Sequence, residues 1–222
     1  MILALDTSTH TMGLALFDGV QVLSEAVWVS RNHHTVELAP AVAETLAKAG
    51  VKVPELNAIV VATGPGSFTG LRIGLALAKG MALMHQIPLV GIPTLDVLAA
   101  SQPLRVEPLA AILRAGRGRL AVGWYEVKEA AWQLIGNIEV CTPQDLAHRI
   151  QSPTLVCGEL TEAERRLLGR KRKNVILASP AQSLRRPAFL AELGWQRWQS
   201  GKTDNPTTLA PFYLHYNEPI QA

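Results

Sequence analysis

Two stretches of this 222-residue chain have residue types and spacing suited to holding an anion. The first is Gly64-Pro-Gly-Ser-Phe-Thr-Gly70, between an apolar β-branched run (58–62) and an apolar segment (70–85). A strand, a glycine loop and a helix start in that order aim backbone N–H groups and a helix N-terminus at one spot. Gly64, Gly66, Ser67, Thr69 and Gly70 are therefore candidate phosphate-contacting residues. The loop is neither standard phosphate motif. A P-loop needs Lys-Ser/Thr after its last glycine, and the nearest lysine is Lys79; the dinucleotide fingerprint needs glycine where Thr69 stands. The second stretch is Asp6-Thr7-Ser8-Thr9, after Met1-Ile-Leu-Ala-Leu5. A carboxylate followed by hydroxyls can hold a magnesium-bound phosphate, or can be a turn residue satisfying local N–H groups.

Other clusters carry less chemistry. His33, His34 and Glu37 have no third ligand and no His-Glu-x-x-His pattern, so they read as a solvated helix start. Ser67 is not in Gly-x-Ser-x-Gly, and no histidine pairs with it by sequence, which rejects a protease. Arg165-Arg166-Leu-Leu-Gly-Arg170-Lys-Arg-Lys173 is a solvated basic face or a contact for nucleic-acid phosphates. Cys141 and Cys157 form neither a Cys-x-x-Cys pair nor a metal spacing, and read as inert thiols.

The elements that must position these residues follow from composition and periodicity. The chain is 48% hydrophobic with a formal net charge of +3, a globular balance compatible with nucleic acid without indicating it. Few aromatics argue against a base-stacking platform. The N-terminus reads as a strand rather than a signal peptide, and no run is long enough to span a membrane, so a cytoplasmic protein is expected. Ile2–Leu5, Gly13–Phe17 and Gln21–Val29 read as strands, the last two joined by a hairpin at Asp18-Gly19. A helix over Thr35–Ala49 follows, with Pro40 expected in its first turn or shifting its start. Strand 58–62, helix 70–85, strand Leu89–Ile92 and helix Leu95–Ala100 capped by Thr94 complete the first half. The second half predicts strands at Leu109–Arg114, Leu120–Val127 and Thr154–Cys157. Its helices are one opening at Thr142-Pro143, Glu162–Leu168 and Pro187–Gln199. This order implies an α/β fold of mixed sheets with helices on their faces. Two subdomains are expected, 1–103 and 104–222, the C-terminal segment able to pack back on the first.

Leu5-Asp-Thr-Ser-Thr9 followed by the strand Gly13-Leu-Ala-Leu-Phe-Asp18 resembles the actin-like ATPase (ASKHA/RNase H-like) half-domain. With Gly64-Pro-Gly-Ser-Phe-Thr-Gly-Leu-Arg-Ile-Gly74 and Pro88-Leu-Val-Gly-Ile-Pro-Thr94, the chain resembles the TsaB (YeaZ) family. The second half matches in outline, through the tail Leu209-Ala-Pro-Phe-Tyr-Leu214. The resemblance implies a non-catalytic subunit of the bacterial machinery that makes N6-threonylcarbamoyladenosine beside the tRNA anticodon. It would support a TsaD-like catalytic subunit, with a TsaE-like ATPase in the complex, weak nucleotide binding (ATP or ADP) at most and only indirect contact with tRNA. Catalytic relatives carry a metal-binding His-x-x-x-His after the same strand; here Thr94 and Leu98 stand in those places, and leucine offers no donor atom.

Segment 70–85 is apolar nearly all round and rich in Gly and Ala, so it must be covered on both sides, as a core helix or an interface helix. The resemblance favours the interface, with Leu38, Val42 and Leu46 of one helix and Leu71, Arg72, Leu75, Lys79 and Met81 of the next facing a partner or second copy. The departures lie in the second half. Arg114-Ala-Gly-Arg-Gly118 stands where members carry Asp-Ala-Arg-Arg-Gly, and His215 where they often carry arginine. The alternative function is an actin-like ATPase or phosphotransferase using Asp6 and the Gly64–Gly70 loop; the missing acid in 114–118 weakens it.

Overall fold

The computed structural model describes residues 1–31, 33–171 and 173–214. Ile2–Asp6 (β1) is buried at every position, as a strand paired on both sides and covered on both faces must be. Thr11–Phe17 (β2) and Val22–Val29 (β3) follow as an antiparallel pair, then His34–Lys48 (α1), Ala58–Gly64 (β4), Phe68–His85 (α2) and Leu89–Pro93 (β5). The order across this sheet is β3-β2-β1-β4-β5, with β1, β4 and β5 parallel. Thr94–Ala100 (α3) leads to the second sheet, made from Leu109–Arg114 (β6), Leu120–Lys128 (β7), Ala131–Cys141 (β8), Thr154–Gly158 (β9) and Val175–Leu177 (β10). Pro143–Arg149 (α4) and Glu162–Gly169 (α5) lie between its later strands, and Pro187–Gln199 (α6) closes the series.

The second sheet has the order β8-β7-β6-β9-β10. Its pairings run antiparallel, antiparallel, parallel, parallel, the same sequence as in the first sheet. The chain is thus two lobes of one topology. Leu3, Leu5, Leu14, Ile59 and Val61 pack under α1 and α2, while Ile2, Ala4, Ala15 and Val60 face α6. In the second lobe, α4 and α5 cover Ala110, Ile112 and Val122; α3 covers Leu109, Ala111 and Tyr125 from between the sheets. Because α6 lies on the first sheet, the lobes are not consecutive halves of the chain. No helix among the described residues is long and apolar enough to cross a membrane.

Several expectations change. Pro40 sits in the second turn of α1, on its exposed face, where the Val36 carbonyl that loses its donor is open to solvent. α2 starts at Phe68, with Ser67 as N-cap accepting from the Gly70 N–H at 3.2 Å. Thr94 is the first residue of α3 rather than its cap, because its hydroxyl is engaged with the glycine loop. β8 and β10 are absent from the periodicity: β8 is a largely exposed edge strand interrupted at Gly136-Asn137, and β10 has three residues. Both cysteines are buried, and burial pushes the Cys157 thiol up to about 12.

Candidate functional site

The loop after β1 and the loop after β4 lie against each other at the C-terminal ends of the first sheet. A β-carbon on Gly66 would sit 2.3 Å from the Ser8 carbonyl oxygen, one on Gly70 2.2 Å from that of Thr7, and one on Gly74 2.2 Å from the Thr7 hydroxyl. The glycines spaced by four residues, Gly66 in the loop and Gly70 and Gly74 in α2, thus form a groove that receives Thr7 and Ser8. Thr7 Oγ1 donates to the Gly70 carbonyl at 2.7 Å, and the Ser67 N–H donates to the Ser8 carbonyl at 2.6 Å. Thr94 Oγ1 accepts from the Gly64 N–H at 3.0 Å and pairs with Ser8 Oγ at 2.9 Å.

Asp6 is 2% exposed and both its oxygens are engaged. Oδ1 accepts from the Ser8 N–H at 2.8 Å; Oδ2 accepts from Nε of Arg185, itself 3% exposed, at 2.8 Å. Arg185 lies in the segment before α6. Its Nη1 donates to Glu159, which follows β9 of the second lobe, and its Nη2 donates to Thr9 Oγ1 (2.8 Å) and the Thr11 carbonyl (3.0 Å). Thr9 Oγ1 in turn donates to Glu159 at 2.7 Å. Burial works against the charge of Arg185, but Asp6 and Glu159 outweigh it and raise its pKa above the ordinary arginine value.

Above this cluster a cleft of about 730 Å³ opens between the lobes. Thr9, His10, Gly66, Ser67 and Phe68 line one side, Leu113 to Gly116 and Glu159 the other, and Tyr213 and Leu214 one end. Of the predicted phosphate-contacting residues, Gly66 and Ser67 border the cleft and Thr69 is exposed on α2. Asp6, Thr7, Ser8, Gly64 and Gly70 are buried, and the polar groups described above are used within the protein. Arg114 is exposed at the end of β6, at the position that Asp6 holds at the end of β1.

The helix residues predicted for an interface divide in two. Leu38, Val42, Leu46, Leu71 and Leu75 are buried in this chain's own core, because the stripe they form is the one that covers the first sheet. Arg72 is exposed, while Lys79 and Met81 are half-buried, Met81 packing against the same core. Arg72 stacks over Phe68, 3.7 Å from its ring centre, and its Nε donates to Tyr213 Oη at 2.9 Å. The exposed large apolar residues of the two helices are others: Val36 is 66% exposed, Phe68 55%, Leu83 56% and Met84 81%, and the small residues Ala39, Ala43, Ala76 and Gly80 are exposed as well.

The remaining candidates have internal partners. His34 Nε2 is hydrogen-bonded to the Thr9 carbonyl at 2.9 Å. Glu37 accepts from Trp28 Nε1 at 2.9 Å, which holds its carboxyl below the usual range. Among the described residues no group of three His, Cys, Asp or Glu is placed to hold a metal ion. In the basic run, Arg165 donates to the Ala178 carbonyl and Arg166 pairs with Glu162; Arg172, like His215, lies outside the described residues. Leu98 is in the core between the lobes. Sequence reasoning misses Arg185 and Glu159. Arg185 stands 179 positions from Asp6 in an Arg-Arg-Pro segment with no motif, so only the folded chain reveals the pair.

In the first turn of α3, Asp96 accepts from Tyr125 Oη at 2.7 Å. Burial raises the Asp96 pKa, although the tyrosine bond works the other way. A carboxyl with a raised folded-state pKa loses stability as pH rises from its ordinary value of 3.8 through the folded value. Asp96→Asn keeps an acceptor for Tyr125 without the charge. It is expected to raise Tm at pH 7 and to leave Tm unchanged below about pH 3. An equal shift at both pH values in a thermal melt would refute the burial cost.

Two lobes of one topology, facing each other across a cleft with strand-end loops on its floor, define an actin-like ATPase (RNase H-like) fold. The ROK hexokinase of Thermus thermophilus shares it: 11% identical, TM-score 0.52, with 90% of this chain and 99% of that one covered, a likeness of fold alone. The model of the TsaD family, tRNA N6-adenosine threonylcarbamoyltransferase, matches residues 21–182. The tRNA threonylcarbamoyladenosine biosynthesis protein TsaB of Bacillus subtilis (strain 168) is 32% identical over 98% of this chain and 95% of its own length. YeaZ from Pseudomonas aeruginosa is 27% identical with a TM-score of 0.77, covering 96% of this chain and 99% of that one. The chain belongs to the TsaB (YeaZ) family, within the TsaD-type group of actin-like proteins.

Proposed function

We propose that the chain is a non-catalytic subunit for N6-threonylcarbamoyladenosine formation at tRNA adenosine 37, one that binds and supports a TsaD-like catalytic subunit. A TsaE-like ATPase belongs to the same complex, and a homodimer is the alternative use of the same helices. The observation that carries the non-catalytic part is the engagement of Asp6. Its two oxygens are held by the Ser8 N–H and the Arg185 guanidinium, so the strand-end carboxylate is not presented to a magnesium–phosphate group. The end of β6 carries Arg114 instead of a second acid. The alternative, an ATPase using Asp6 and Gly64–Gly70, would need those same groups free. The exposed apolar residues of α1 and α2 support a partner-binding role, above all the adjacent Leu83 and Met84 in the last turn of α2, since exposed apolar surface marks interaction sites.

The test is reconstitution of tRNA modification with the chain, the TsaD-like and TsaE-like proteins of the same organism, threonylcarbamoyl donor and tRNA. Modified adenosine is expected only when the chain is present, and no ATP turnover by the chain alone. Undiminished modification without it, or ATP hydrolysis by the chain alone that Asp6→Asn abolishes, would overturn the reading.

A further inference from the structure

The oxygens around Arg185 form a set that a hard cation would also accept. Asp6 and Glu159 supply carboxylates from opposite lobes, Thr9 a hydroxyl and Thr11 a carbonyl, an all-oxygen donor set of the kind that divalent cations take. A guanidinium occupies the centre. A nucleotide-bound magnesium ion of the actin-like type does not fit there, because the Asp6 oxygen it would need already receives Arg185 Nε.

We propose that Arg185 is a resident counterion standing where a divalent cation would otherwise sit, and that it ties the two lobes together with no metal or nucleotide bound. This goes beyond the subunit role and holds whichever partner the chain has. A guanidinium is well suited to such a tie, because it is always charged and its planar fork reaches several acceptors at once. Unlike a metal ion, it cannot exchange with solvent.

The surrounding chain holds both ends of the tie. Next to Arg185, Arg186 pairs with Glu25, which also accepts from the Ala188 N–H at 3.0 Å, so the segment is pinned to β3. Pro187 packs against Gly13, where a β-carbon would come within 3.0 Å of its ring. Across the cluster, Gly158 has φ +130°, and a β-carbon on it would lie 1.9 Å from the Ile112 carbonyl oxygen. Only glycine fits that turn, and the turn delivers Glu159 to the guanidinium. Arg185 is a positioning residue: it sets the angle between the lobes and hence the width of the cleft.

Two measurements test this. Spin labels on Ala47→Cys in the first lobe and Ala163→Cys in the second report the distance between lobes, both sites being exposed and the native cysteines buried. Glu159→Ala cuts the tie at its partly exposed end and keeps the Asp6–Arg185 pair. Its distance distribution is expected to broaden relative to the parent. Arg185→Ala vacates the cluster and is expected to bind Mn²⁺ at least about tenfold tighter than the parent in calorimetric titration. Adding Asp6→Asn should abolish that gain. A Glu159→Ala distribution as narrow as the parent's, or no gain in Mn²⁺ affinity for a folded Arg185→Ala, overturns the proposal. If Arg185→Ala does not fold, Arg185→Lys, whose ammonium lacks the planar fork, takes its place in the distance measurement; broadening supports the tie and an unchanged distribution overturns it.

Discussion

Gly70→Ala is expected to lose about 2–4 kcal/mol of stability, read as a fall in the urea midpoint with an unchanged slope. The added carbon would sit 2.2 Å from the Thr7 carbonyl oxygen. That atom is backbone at the end of the central strand, so relief requires β1 and α2 to move apart. The movement would also weaken the Thr7 hydroxyl bond to the Gly70 carbonyl, made across the same contact. Gly80→Ala is the control on the same helix: nothing lies within 4 Å of its added carbon, and it is expected to gain roughly 0.5–1 kcal/mol from helix propensity. Opposite signs for two glycine-to-alanine changes in one helix would separate packing from propensity. If Gly70→Ala were neutral, the glycine groove would not be what holds the two loops together, and a direct role for the loop in anion binding would regain weight.

The second large effect concerns association rather than folding. A Leu83→Lys, Met84→Lys double variant, whose charges suit a helix C-terminus, is expected to weaken binding to the TsaD-like subunit by roughly a hundredfold or more, since apolar anchors at interfaces are worth about 2 kcal/mol or more each. Both side chains are exposed in this chain, so its own stability should change by no more than about 0.5 kcal/mol. Biolayer interferometry against the immobilised subunit, with a thermal melt of the variant alone, separates the two quantities. Unchanged affinity would remove these helices from the interface. Leu75→Arg cannot serve as the probe, although it lies on the helix that the sequence marks for an interface. Leu75 is 4% exposed under the first sheet, and a buried unpaired guanidinium there would unfold the lobe rather than report on a partner.

These two predictions show where sequence reasoning reaches and where it stops. The α/β class, the strand–glycine loop–helix unit and the likeness to the TsaB family were all legible, because they depend on local periodicity and on a short run of unusual residues. The glycines of 64–74 were legible as a close-approach motif but not as to what approaches. A phosphate and a protein backbone both need the missing β-carbon, and the sequence does not distinguish them. The apolar stripe of α1 was legible as a stripe, whereas its direction was not. Leu38, Val42 and Leu46 face the sheet beneath, and the exposed large apolar residues are Val36 at the start of α1 and Phe68, Leu83 and Met84 at the two ends of α2.

By itself, then, the sequence determined most of the elements, the family and the absence of the histidine pair, since each is written in contiguous residues whose preferences act over a few positions. Tertiary structure alone decided the fate of Asp6. A carboxylate after a first strand can meet a metal, a phosphate or a cation of its own chain, and the choice rests on a residue 179 positions away. It also decided that the two lobes share one topology, because β8 and β10 are too exposed or too short to show a pattern and are held by pairing with their neighbours. Local preferences are short-ranged. The Coulomb attraction that joins Asp6, Arg185 and Glu159 acts only once folding has brought them together and removed the water between them.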